Sequence, residues 1–173
     1  MNRIDLSNLK LKTFAEQNIS DYCLLNNINP DDIRIINLKN NQLTDISGIK
    51  IFKNLNELYL NINRLSNISV FKYLTELKKL DIGYNDLTDI SVLKNLTELV
   101  DLDISYNQIS NISAVQYLDN LQHLGIINLK LKFNQTQYIN KCKNLKYLFC
   151  ENGFEDMSAV KQINKNIKIY ELL

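Results

Sequence analysis

The feature that most constrains this chain is a 22-residue sequence period in its middle. The segment 77–98, LKKLDIGYNDLTDISVLKNLTE, has a near-copy before it at 55–76 and another after it at 99–120. Apolar residues recur at repeat positions 1, 4, 6, 11, 14, 17 and 20, and asparagine recurs at position 9. Such a period predicts stacked repeats, because one unit of this size cannot bury its apolar side alone.

Each repeat contains the pattern of a short strand followed by a turn. Leu80 and Ile82 alternate with Asp81 and Gly83, as in a strand with one buried face. We expect the position-9 side-chain amides to bond turn backbone groups that would otherwise lack partners. We also expect serine hydroxyls to cap a following short helical or 3₁₀ turn. The asparagines are Asn41, Asn63, Asn85 and Asn107, and the serines are Ser47, Ser69, Ser91, Ser113 and Ser158.

The order L-x-x-L-x-L-x-x-N-x-L in these segments resembles the leucine-rich repeat. The 22-residue length and the DIS-x-apolar tail resemble the short repeats of bacterial internalins and of the protein phosphatase 1 regulatory subunit. The resemblance covers roughly residues 33–166. It implies an α/β fold, a right-handed leucine-rich repeat solenoid with a parallel sheet on the concave face and short helical or 3₁₀ turns on the convex face. It also implies a role in protein–protein interaction.

We divide the chain into an N-terminal helical cap at 1–32, six repeats at 33–166 and a C-terminal strand at 167–173. The cap is expected to cover the first repeat with a helix that ends before Pro30. Its apolar residues at roughly helical spacing are Phe14, Ile19, Tyr22 and Cys23, with Leu25 as a further candidate. The fifth repeat, 121–144, has 24 residues and no serine cap, so its outer segment should deviate from the others.

Composition narrows the functional classes. The net charge of +1 gives no electrostatic reason to expect nucleic acid or a membrane as partner. A single histidine, four glycines and no phosphate-binding or nucleophile motif indicate that the protein is not an enzyme. The three widely spaced cysteines predict no metal site, no disulfide framework and no cofactor, and Cys150 is expected in the core. No apolar secretory segment begins the sequence, so we expect a cytoplasmic location.

Strand alternation sends positions 3, 5 and 7 to the concave face, with position 8 adjoining it. We therefore predict an acidic centre ringed by aromatic side chains that binds a protein partner presenting a basic segment. The predicted protein-binding residues are Tyr59, Asp81, Tyr84, Asp101, Asp103, Tyr106, His123, Tyr147 and Phe149.

Several alternatives are open at this stage. Lys79 at position 3 lies between Glu57 and Asp101, so these charges are expected to neutralise one another without any ligand. The aromatic residues are also compatible with stacking along the sheet. Asp81 and Asp103 should lie about 5 Å apart across parallel strands, as in a retaining glycosidase or a weak cation site. A pathogen effector or toxin-neutralising protein would use the same face, and the edge of the last strand is a candidate for a weak homodimer.

Overall fold

A computed structural model describes residues 2–171 of the chain. They form one eight-stranded sheet, in which every pair of neighbouring strands is parallel and the strands follow in chain order. The predicted solenoid fold is confirmed. Leu172 and Leu173, at the end of the predicted C-terminal strand, lie outside the described residues. The strands are β1 (Arg3–Asp5), β2 (Ile35–Asn37), β3 (Glu57–Tyr59), β4 (Lys79–Asp81), β5 (Asp101–Asp103), β6 (His123–Gly125), β7 (Tyr147–Phe149) and β8 (Lys168–Tyr170).

The core runs continuously through the repeats beneath this sheet. The central residue of each strand from β2 to β7 points into it and is at most 2% exposed. Burying a leucine or isoleucine in this way contributes about 1.5 to 3 kcal/mol, so each added repeat extends the core on which its neighbour depends. These residues are Ile36, Leu58, Leu80, Leu102, Leu124 and Leu148.

Asparagine side chains link the repeats as predicted. The Asn85 Oδ1 accepts a hydrogen bond from the Leu65 N–H at 2.9 Å. Its Nδ2 donates to the carbonyl oxygens of Leu60 and Ile82, both at 3.1 Å. Asn63 and Asn107 repeat this arrangement one repeat away on either side. The asparagine ladder therefore satisfies backbone groups of two consecutive repeats at once.

Short 3₁₀ turns form the convex side, but the predicted capping by serine hydroxyls is wrong. The serine N–H of each turn instead donates to the side-chain oxygen of an aspartate or asparagine two residues earlier, at 2.8 Å. An Asx side chain reaches the backbone two residues ahead, so it satisfies the first N–H of the turn. The turns are Ser47–Ile51, Ser69–Tyr73, Ser91–Asn95, Ser113–Tyr117 and Met157–Gln162.

The N-terminal segment contains the predicted helix, α1 (Glu16–Leu25), which buries Ile19 and Cys23 against the turn Ser47–Ile51, the first 3₁₀ turn on the convex side. Tyr22 and Leu25, which we placed on the same face, are 36% and 82% exposed, and the buried Phe14 lies before the helix begins. The segment also contains strand β1, which we did not predict and which pairs along its whole length with β2. The cap therefore extends the sheet as well as covering the core.

The fifth repeat deviates on its outer side as expected. A 3₁₀ turn at Phe133–Gln135 leads into a single helical turn, α2 (Thr136–Ile139). The buried Gln135 accepts a hydrogen bond from the Ile112 N–H at 3.0 Å and ties this segment to the previous repeat. Cys150 is fully buried in the core, as predicted, and burial raises the pKa of its thiol to about 12. Among residues 2–171, no helix combines the length and apolar character needed to span a membrane.

Candidate functional site on the concave face

Strand pairing brings part of the predicted site together. The parallel register places Tyr59 beside Asp81 and Asp81 beside Asp103, while Asp101 lies beside Lys79. These five side chains and Leu80 line a depression of about 220 Å³. Four of the nine predicted binding residues therefore share one concave surface, which we call the acidic depression.

A second depression of about 370 Å³ adjoins the first and shares Tyr59 and Asp81 with it. Its other lining residues are not among the nine predicted binding residues. Arg3 was missed because strand β1 was not recognised as part of the sheet. The remaining residues occupy positions 3, 5 and 7 of the first two repeats, where the same alternation rule could have found them. They are Ile35, Asn37, Lys39, Glu57 and Asn61.

The aspartates of the acidic depression have no ion-pair partner within residues 2–171. The ion pairs found there are Arg3–Asp5, Lys50–Glu16 and Lys143–Asp119. Within these residues Lys79 therefore makes no direct ion pair with Glu57 or Asp101, the two neighbours that we expected it to neutralise. Lys79 is exposed, and an exposed ion pair gains too little in water to offset the side-chain entropy lost in forming it. Across the same residues, no group of three or more potential ligands is arranged to hold a metal ion.

Asp81 has an unusual electrostatic environment. Partial burial disfavours its charged form, and the neighbouring Asp103 carboxylate adds repulsion, which together raise the pKa of Asp81 to about 6. A hydrogen bond from the Gly83 N–H to its Oδ1, at 3.1 Å, opposes this shift only in part. At neutral pH the ionised Asp81 carboxylate is therefore more stable in the unfolded chain than in the folded protein.

This shift predicts that Asp81→Asn stabilises the protein at neutral pH. Because the pKa is higher in the folded state, ionisation destabilises the fold as pH rises from about 4 to about 6. After allowance for solvent screening, we expect the free energy of unfolding of the variant to exceed that of the wild type by about 1 to 2 kcal/mol at pH 7.5. At pH 3.5 the two proteins should unfold alike. Urea denaturation at both pH values measures the difference.

Asp86→Asn is a matched control for this experiment, because Asp86 is an exposed carboxylate of the same repeat. As an exposed surface substitution it should change the free energy of unfolding by no more than about 0.5 kcal/mol. A destabilised Asp81→Asn protein at pH 7.5, or an equal gain at both pH values, would contradict the electrostatic argument.

Tyr84 and Tyr106 stack on each other beside the acidic depression, with ring centroids 4.0 Å apart and an angle of 11° between the rings. Both residues occupy position 8, as does Ile62, and all three have left-handed backbone angles, with φ of 60° for Ile62 and 54° for each tyrosine. We call these three residues the tyrosine ridge. A left-handed conformation costs a residue with a Cβ about 1 to 2 kcal/mol.

The other repeats use asparagine at this left-handed position, which tolerates the conformation better. In three consecutive repeats, a residue of the tyrosine ridge therefore stands where the other repeats have asparagine. Burial of these side chains does not fully compensate for the cost of the left-handed conformation, since Ile62 is 40% exposed and Tyr84 is 51% exposed. The asparagines are Asn8, Asn40, Asn128 and Asn152.

The remaining predicted residues form a separate aromatic cluster. His123 stacks on Tyr147 at 5.0 Å, and Phe149 stacks on Tyr170 at 5.0 Å. Aromatic rings therefore stack along the sheet in this cluster, as Tyr84 and Tyr106 do, in line with the alternative of stacking. Tyr170 was missed, although it continues the position-5 column into the last strand.

Tyr59 behaves differently from these stacked rings. Its hydroxyl donates a hydrogen bond to Glu57 Oε2 at 2.7 Å. Burial, followed by this bond, raises the pKa of Tyr59 to about 12. Tyr59 is therefore a neutral, oriented wall of the acidic depression.

Gly125 separates the acidic depression from the aromatic cluster. A Cβ at this position would lie 2.5 Å from Asp103 Oδ1, so the Asp103 carboxylate occupies the space above the glycine. The nine predicted residues consequently form three neighbouring groups along the sheet. The predicted single acidic centre with a surrounding aromatic ring is resolved into an acidic depression, a tyrosine ridge and an aromatic cluster.

The comparisons with known proteins agree with the solenoid fold. A family model described as leucine-rich repeats in two copies matches residues 75–117. An internalin (inlF) from Listeria monocytogenes has 29% sequence identity and a TM-score of 0.74, with 82% of this chain and 42% of that chain covered. A search of curated proteins gives no match.

Two further solved structures are alike in fold. A leucine-rich repeat protein of Leptospira interrogans has 23% identity and a TM-score of 0.71, with 95% of this chain and 41% of that chain covered. Internalin C2 of Listeria monocytogenes has 19% identity and a TM-score of 0.74, with 99% and 80% covered. The chain thus spans less than half the length of the first two structures. Its fold is that of a leucine-rich repeat solenoid, and its repeats resemble those of the internalins.

Proposed function

We propose that this chain is a non-enzymatic interaction module that binds a basic segment of a protein partner through its concave face. The observation that carries the proposal is the acidic depression, in which Asp81, Asp101 and Asp103 meet without an ion-pair partner in the described chain. The leucine-rich repeat fold supports an interaction role in general, and that part of the argument is an analogy.

The energetics of Asp81 support an external cation. A carboxylate whose ionisation destabilises the free protein is stabilised when a lysine or arginine of a partner enters the depression. The charge-assisted hydrogen bonds formed there offset the repulsion between Asp81 and Asp103. Selection for binding rather than for stability explains why these residues lie side by side.

The aromatic side chains support the same surface. Tyr59 forms part of the acidic depression, and Tyr84 stands exposed beside it. Aromatic residues provide large contact areas with few rotatable bonds and are enriched among residues that dominate binding energy. The rigid sheet presents them at little entropic cost.

We further propose that the protein is located in the cytoplasm. A weak homodimer through the outer edge of β8 stays a prediction.

The double variant Asp103→Lys, Tyr59→Ala tests the proposal. Wild-type protein immobilised on a matrix should capture a partner from the native source, which is then identified and purified. The double variant should lose measurable binding, because it reverses a charge and removes an aromatic wall of the depression. Added salt should slow the association of the wild type, as expected for electrostatic steering.

The matched control is Asp119→Lys with Tyr117→Ala, which makes the same chemical changes on the convex side, where both residues are exposed. It should bind like the wild type. Circular dichroism and thermal melting establish that both variants fold. Undiminished affinity of the Asp103→Lys, Tyr59→Ala protein would overturn the concave site and direct the search to the irregular segment 128–142.

A further inference from the structure

Strand β1 is an edge strand with one free side. It pairs along its whole length with β2, and within residues 2–171 no strand pairs with its other side. The Asn2 oxygen accepts a hydrogen bond from β2 at 3.1 Å, and the Leu6 N–H donates one to β2 at 2.8 Å. Alternate residues of a strand direct their backbone groups to opposite sides, so those of Arg3 and Asp5 point to the free edge.

The side chains of Arg3 and Asp5 carry opposite charges on one face of this edge. Arg3 Nη2 lies 2.8 Å from Asp5 Oδ2, and the two side chains are 54% and 43% exposed. Ile4 stands between them, points to the opposite face and is 4% exposed. Strand β1 therefore has a cation and an anion placed symmetrically about an apolar residue.

We propose that the free edge of β1 binds a second copy of this chain, whose own β1 pairs in the antiparallel direction about a two-fold axis at Ile4. Arg3 then lies opposite Asp5 of the second copy, and Asp5 lies opposite its Arg3. Each of these pairs exchanges backbone hydrogen bonds and brings opposite charges together. The inference does not depend on the proposed function, because the acidic depression is built from other strands.

Backbone alternation and charge select the same register. In an antiparallel ladder, opposed residues are alternately joined by two hydrogen bonds and by none. Pairing about Ile4 joins the outward-directed Arg3 and Asp5 by hydrogen bonds and leaves Ile4, whose backbone groups are directed to β2, in the unbonded position. A shift by one residue would oppose outward-directed to inward-directed groups. A shift by two would oppose Arg3 to Arg3 or Asp5 to Asp5, which places like charges together.

An open apolar groove of about 230 Å³ lies beside this edge. It is lined by cap residues alone, among them Leu6, which follows β1 directly, and Leu11, Phe14 and Tyr22. Tyr22 is 36% exposed. A second copy on the edge of β1 brings its cap against this groove, so each chain buries apolar surface that is open to water in the single chain.

The outer edge of β8, at which we predicted a weak homodimer, is the rival contact. Neighbouring strands of the chain pair in a parallel register that opposes their first residues. In that register, β8 of one copy and β1 of the next would place Lys168 beside Arg3, which repel each other. Such a head-to-tail contact also leaves free edges at both ends, so it would grow beyond a dimer. Antiparallel pairing of β1 with β1 closes on itself.

Sedimentation velocity of the whole chain tests the proposal. The wild type should form a reversible dimer with a dissociation constant of about 10 to 100 µM, since a three-residue strand offers few hydrogen bonds. Arg3→Glu and Asp5→Lys should each weaken the dimer at least about 10-fold, because each opposes like charges in both pairs. An equimolar mixture of the two variants should dimerise again, because every opposed pair then carries opposite charges.

The matched control is Lys168→Glu, which reverses an exposed charge on the other edge strand and should dimerise like the wild type. The double variant Arg3→Glu, Asp5→Lys restores opposite charges and should also dimerise. Hydrogen exchange locates the contact. Exchange of the Arg3 and Asp5 amides should slow as protein concentration rises, and that of the Ile169 amide on β8 should not change.

A wild type that stays monomeric at about 1 mM, or that grows beyond a dimer, would overturn the proposal. So would loss of the dimer in Lys168→Glu, or a mixture and a double variant that both stay monomeric. Circular dichroism and thermal melting establish folding. If Asp5→Lys does not fold, Arg3→Glu decides alone, because within the described chain the Arg3 side chain bonds only Asp5. Wild-type dimerisation of Arg3→Glu would then exclude the β1 edge.

Discussion

Asn85→Leu is expected to lower the free energy of unfolding by about 3 kcal/mol or more, and the melting temperature by about 10 °C. Leucine has the same number of side-chain heavy atoms, but it offers neither the acceptor for the Leu65 N–H nor the donor for the Leu60 and Ile82 carbonyls. A buried polar group left without a partner costs about 1 to 3 kcal/mol. Because Asn85 bonds both its own repeat and the preceding one, the loss weakens the centre of the stack.

Asn166→Leu is the matched control, since Asn166 is exposed and lies outside the ladder. The same chemical change there should leave the denaturation midpoint within experimental error. Thermal and urea denaturation of the two variants give the comparison. An unchanged midpoint for Asn85→Leu would show that the buried amide is dispensable and would refute the role we assign to the ladder.

The regular part of the fold is readable from the sequence because each repeat obeys the same local rules. Alternation around Leu80 fixes which side chains are buried, and Asn85 marks where the strand must end. Strand β1 was not predicted from the sequence, for two physical reasons. Its link to β2 is lengthened by helix α1, and Leu9 stands where the ladder asparagine is expected. The Asn41 side chain instead accepts a hydrogen bond from the Leu9 N–H.

The position of the candidate site on the sheet was predictable from the sequence, but the contacts among its side chains were not. Strand register alone brings Tyr59, Asp81 and Asp103 side by side. Whether exposed Lys79 forms an ion pair depends on small differences in solvation and entropy that a sequence pattern does not contain. The left-handed conformation at Tyr84 was equally hidden, although the asparagines at the same position of other repeats were a usable signal.

The sequence was likewise insufficient to show that an aspartate or asparagine side chain, and not serine, caps the 3₁₀ turns. Both residue types occur in the recurring Asp-Ile-Ser segment, so composition at the start of the turn did not decide between them. The backbone places the Asp89 carboxylate 2.8 Å from the Ser91 N–H. The Ser91 hydroxyl then bonds the same carboxylate and supports the cap.

Gly48→Ala is expected to detach the N-terminal segment from the first 3₁₀ turn and to lower the free energy of unfolding by about 3 kcal/mol. An added Cβ would lie 2.6 Å from the Phe14 carbonyl oxygen and 2.9 Å from the Ala15 carbonyl carbon. These are backbone atoms that cannot rotate away. The same movement would break the hydrogen bond from the Gly48 N–H to the Phe14 oxygen, which measures 2.8 Å.

The comparison that isolates this effect is Gly83→Ala, because its added methyl meets only ordinary contacts. Other repeats carry Val70, Val92 or Ala114 at the position of Gly48, so a side chain is compatible with the turn itself. The glycine is required only where the cap packs. Hydrogen exchange should therefore accelerate in helix α1 of the Gly48→Ala protein and remain slow in the central repeats. Uniform acceleration along the chain would mean that the cap and the repeats unfold as one unit, and unchanged exchange in α1 would show that the cap does not depend on this contact.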